Sequence, residues 1–143
     1  MLVCDINKMY LSVDDAERRE QILFGRSYDE GKYSCGGICR FDDMTVAKAE
    51  ELMRLGYMDP EETQNDSPTA QQFVDFIKSC DNPDGWRLHG YVVSPLRGDV
   101  RVTVDGIESV EAIDTDTLLE FSMANRYADE LSCSDGMAYC WYD

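Results

Sequence analysis

The chain has 143 residues, 43% hydrophobic and 29% charged, a balance that suits one globular domain and excludes a disordered chain. Twenty-nine acids face thirteen bases, for a net charge of −16, a field that repels phosphate backbones and anionic membranes and attracts basic surfaces. The imbalance is uneven: residues 55–77 hold no Lys or Arg, and residues 102–143 hold one base, Arg126, against ten acids.

The N-terminal stretch "MLVCDINKMYL" is interrupted by Asp5, Asn7 and Lys8 before a secretory apolar region could form, and no apolar run is long enough for a membrane span. The expectation is a cytoplasmic protein with reduced thiols. A first helix is predicted over residues 13–24, capped by Ser12, with Asp14 and Asp15 at its positive end and Gly25 as its stop. Ile6, Met9, Tyr10 and Val13 share helical spacing and could extend it back across residues 5–11. Residues 25–42 read as a functional loop or a short hairpin. A second helix is predicted over 45–55. A third begins near "SPTAQQF", capped either by Ser67 or by a Thr69–Gln72 capping box, with Phe73, Phe76, Ile77 and Cys80 inward.

The period then changes. Residues 86–94, 99–104 and 107–113 read as strands, the last two flanking Asp105-Gly106, a dipeptide suited to a tight hairpin turn. A two-residue loop has the stronger turn chemistry and a three-residue loop the better face matching, so both registers stay open. A fourth helix runs from Asp114 or Thr115 to about Glu130, with Leu119, Met123 and Tyr127 along its apolar side and Leu118, Phe121 and Ala124 widening the stripe. Residues 137–142, "MAYCWY", form a terminal strand expected to pair with the meander and pack on the fourth helix. The fold class is α+β: about four helices and an antiparallel sheet of three to four strands in a single domain spanning 1–143.

Cys35 and Cys39 bracket Gly36-Gly37-Ile38 at a spacing that zinc hooks use. The other cysteines are Cys4, Cys80, Cys133 and Cys140, which supply no clean second hook. A redox pair would need two intervening residues and a helix N-terminus. The structural reading is therefore preferred: Gly-Gly makes a turn beside small buried hydrophobes. His89, the only histidine, reads as a partly buried residue bonded to backbone, with Gly90 marking a bulge or a close approach. "DNPDGW" lacks the alternating ligands of a calcium loop, and capping accounts for Asp114, Asp116 and Glu120. The helices around 45–79 are too far apart and too poor in cations for a DNA-reading helix-turn-helix.

These observations favour a small acidic, non-catalytic protein-binding module without a cofactor, whose partner carries a basic surface. Direct binding to nucleic acid or membrane is not expected. An alternative is an inhibitor or nucleic-acid mimic that occupies a basic site, with Asp59, Glu61, Glu62, Asp66, Asp105, Glu108 and Glu111 as its acidic surface. A third reading is a zinc- or thiol-dependent protein built on Cys35, Cys39 and His89.

Overall fold

The computed structural model describes residues 8–34 and 36–143. The first helix forms as α1 (Val13–Phe24): Ser12 accepts from the Asp15 amide at 3.0 Å, and Gly25 ends the helix at a φ of 65°. Its backward extension is not found, since residues 9–11 are not helical; residues 5–7 lie outside the described residues. The 25–42 connection contains a strand, β1 (Ile38–Met44). Thr45 caps α2 (Val46–Arg54). The Thr69–Gln72 capping box starts α3 (Ala70–Ser79), while the Ser67 hydroxyl is used in the preceding turn, accepting from the Gln64 amide.

Then come β2 (Trp86–Val93), β3 (Val102–Ser109), α4 (Thr115–Ala124), β4 (Glu130–Ser132) and β5 (Tyr139–Trp141). The architecture is α+β: four α-helices and one antiparallel five-stranded sheet, in the order β1-β2-β3-β5-β4, among the described residues. None of these helices is long and apolar enough to cross a membrane.

Asp105-Gly106 is not a hairpin turn. β3 runs through it, merging the two short strands expected on either side. The β2–β3 hairpin closes over residues 94–101 instead, where the Arg97 amide donates to the Ser94 carbonyl at 3.0 Å. Gly106 is there for space: a Cβ would stand 2.0 Å from the Cys140 carbonyl oxygen and 2.3 Å from His89 Cε1. Gly90 answers the same need, since a Cβ there would stand 1.9 Å from the Thr103 carbonyl oxygen. His89 pairs with Gly106 and Gly90 with Val104, so Asp105 is the extra residue of a β-bulge.

One face of the sheet buries Trp86, Leu88 and Ile107 against Leu52, Phe73, Ile77 and Phe121 from the helices. Trp86 binds this layer together, with ring centroids 5.5 Å from Phe76 and 5.6 Å from Phe121. The terminal strand is tied down as expected: Ala138, Cys140 and Tyr142 are buried, and β5 pairs with β3. Its helix contact is shared, however. Tyr142 packs edge-on against Phe73 of α3 and donates to Asn125 just after α4.

Candidate functional site

The bulge aims Asp105 at side chains from three other strands. Arg40 on β1 donates to it from both terminal nitrogens, at 3.0 and 3.1 Å. His89 Nδ1 on β2 lies 2.9 Å from Oδ1, and Trp141 Nε1 on β5 donates to Oδ2 at 3.2 Å. Tyr139 stacks on the imidazole with ring centroids 5.3 Å apart. Burial works to raise the Asp105 carboxyl, but the hydrogen bonds from His89 and Arg40 and the Arg40 charge outweigh it and hold the group below its ordinary value. His89 is buried, as expected of a core histidine, but its partner is a carboxylate and not backbone. Its Nε2 is enclosed and makes no hydrogen bond to the described residues. What the network does is clamp four strands at one carboxylate.

Cys35 lies outside the described residues. Cys39 pairs across β1–β2 with Val92, and His89, an odd number of residues from Val92 on the same strand, points to the opposite face of the sheet. Cys39 and His89 therefore cannot share one ion. The Cys39 sulfur lies 3.5 Å from Arg26 Nη2. Burial pushes the Cys80 and Cys133 thiols up and takes Cys140 to about 12, away from thiolate chemistry.

The seven acids picked out by the sequence differ in exposure. Asp59, Glu61 and Asp66 are exposed in the connection between α2 and α3. Glu62 is half-buried, accepting from Arg101 and from the Thr103 hydroxyl, each at 3.1 Å. Glu108 faces Tyr139 across the β3–β5 pair, and Glu111 is bonded to Asn82 in the turn after α3. Asp105 is 2% exposed and spent on the strand clamp, so its place in an acidic surface is corrected by its burial.

α4 carries the feature that the sequence pattern misread. Leu119, Met123 and Tyr127, expected to face inward, are 60%, 60% and 71% exposed. The helix is apolar on two sides, and Phe121 decides its rotation by entering the Trp86–Phe76 cluster, where it is fully buried. Leu119 and Met123 sit two residues from Phe121, about 200° round the helix, and so are carried outward. Tyr127 continues the row past the helix end, with Arg126 stacked 4.7 Å over its ring. Beside the row, a cleft of 280 Å³ opens between α3 and α4, with Phe73, Phe76 and Ile107 within it and Ala124 on its wall. Past Tyr127 lies a polar hollow of 440 Å³ lined by Asp66, Asp129 and Asp143. At the other end, Glu120 and Asp114 lie close enough to Cys80 for their charges to add to the effect of burial on that thiol.

Fold and site together define an acidic α+β domain with a strand clamp on one face of its sheet and an open apolar helix face on the other. Comparison of the chain with protein-family models, curated proteins and solved structures gives no match.

Proposed function

We propose that this chain is a non-catalytic protein-binding domain that engages its partner through the outer face of α4. The observation that supports this reading is the row Leu119, Met123 and Tyr127, two large apolar side chains one helical turn apart and a third just past the helix end, each more than half exposed. Single exposed apolar residues are ordinary; an aligned row beside an apolar cleft has the form of an interface core. Met adapts its shape to a partner, and Tyr supplies rigid contact area. The acids serve as the polar rim.

The test is a triple variant, L119S/M123S/Y127S, used beside the wild type to capture partners from the native host's lysate. Because the row is exposed, stability should change by no more than about 0.5 kcal/mol per substitution. Proteins held by the wild type at high salt should be absent from the variant's capture. Capture that is unaltered by the variant, or that is lost to salt alone, would remove α4 from the interface and favour the acidic-mimic reading.

A further inference from the structure

Resting on the reading of α4 as a docking face, we infer that its occupant is a cationic amphipathic helix of another protein, lying along α4 with its apolar stripe on the row. Leu119 and Met123 stand one helical turn apart, about 6 Å along α4, and Tyr127 extends the apolar surface past the helix end, a footprint for the apolar stripe of a short partner helix. The α3–α4 cleft has Ala124, the residue after Met123, on its wall and the half-buried Phe76 in its lining, and the buried Phe73 and Ile107 form its floor. Asn125 at the cleft already has partners, donating to the Phe121 carbonyl at 3.1 Å and accepting from the Tyr142 hydroxyl at 2.9 Å. The cleft therefore makes no unmet polar demand on an apolar guest at that residue.

Charge selects the kind of helix. Asp116 lies one turn before Leu119, Glu120 flanks the row between Leu119 and Met123, and Asp66, Asp129 and Asp143 line the hollow at the far end. Arg126 is the only base within residues 102–143, and it is stacked on Tyr127. Lysines or arginines at both ends of a partner helix would each meet a carboxylate. A second copy of this chain would not: with both ends of the row acidic, parallel and antiparallel pairings alike set acid against acid. An anionic membrane is disfavoured for the same reason.

The probe is a synthetic leucine–lysine peptide of about five helical turns, fluorescently labelled and titrated at about 150 mM salt. A peptide of the same composition, scrambled to abolish the apolar stripe, is the control for net charge. The expected result is that the stripe peptide binds at least about tenfold more tightly than the scramble, and that M123S and E120K each weaken it several-fold. Equal binding of the two peptides, indifference to M123S, or tighter binding of a leucine–glutamine stripe peptide would overturn the inference. So would association of the protein with itself through the row in sedimentation, or with anionic vesicles. If the triple variant loses its captured partner while the leucine–lysine peptide fails, the docking face stands and only the cationic occupant falls.

Discussion

Asp105 joins four of the five strands through its own position on β3 and the side chains of Arg40, His89 and Trp141. Its main-chain carbonyl adds a further link to the end of β5, accepting from the Tyr142 amide at 2.8 Å. Removing the charge leaves Arg40 and His89 facing a neutral amide, so D105N should lose about 3 kcal/mol of stability by urea unfolding at neutral pH. The pH dependence has a definite sign. Asp105 titrates lower in the fold than its ordinary 3.8, so its contribution is complete above that value and disappears as pH falls through the lowered one. The wild type should thus lose stability more steeply than D105N below about pH 4, and parallel acid limbs would show that the clamp contributes nothing. Gly106 is a matter of space. In G106A the new methyl would meet the Cys140 carbonyl oxygen at 2.0 Å, a backbone atom unable to yield without separating β3 from β5. The variant should melt far below the wild type or fail to fold; a midpoint within a few degrees would contradict the close approach.

At the scale of elements, the terminal strand is short but well anchored. Residues 139–141 pair with both β3 and β4, and the fully buried Cys140 and Tyr142 close the core over Phe73. Each large side chain buried contributes about 1.5–3 kcal/mol, so the tail as a whole rivals a domain's net stability. Deleting residues 137–143 should abolish the cooperative thermal transition. A soluble truncated chain with an unchanged midpoint would mean that the strand is dispensable to the core and belongs to the surface. α4 behaves differently, because one of its apolar sides is committed to the core through Phe121 and the other is left to solvent. That division is what makes its outer face available to another molecule without disturbing the fold.

For the whole molecule, the net charge of −16 governs long-range encounters. Cations are largely engaged with acids of the same chain: Arg26 with Glu20, Arg40 with Asp105, Lys78 with Glu50 and Arg101 with Glu62. Micromolar protein should therefore give no gel shift with duplex DNA at physiological salt, and a shift abolished by reversing Lys or Arg residues would contradict this.

Much of this architecture is legible in the chain because it depends on local chemistry. Ser12 and Gly25 act on backbone groups within three or four residues and mark the ends of α1 where the structure has them, while at α3 the sequence offers both Ser67 and the Thr69–Gln72 box and the structure uses the box. The identity of the sheet class follows from the change in period at Trp86. Asp105-Gly106 could not be read this way. Locally it has the composition of a turn; only the arrival of Cys140 and His89 from distant positions shows that its glycine clears space and its aspartate binds three strands. The outer face of α4 was hidden for a related reason. Helical spacing fits two apolar stripes equally well, and the choice between them is made by the volume available beside Trp86 and Phe76, which takes Phe121 and turns Leu119, Met123 and Tyr127 outward. Caps and periods act along the chain and are written in it; which apolar side is buried, and which carboxylate is enclosed, is settled by packing between residues far apart in sequence.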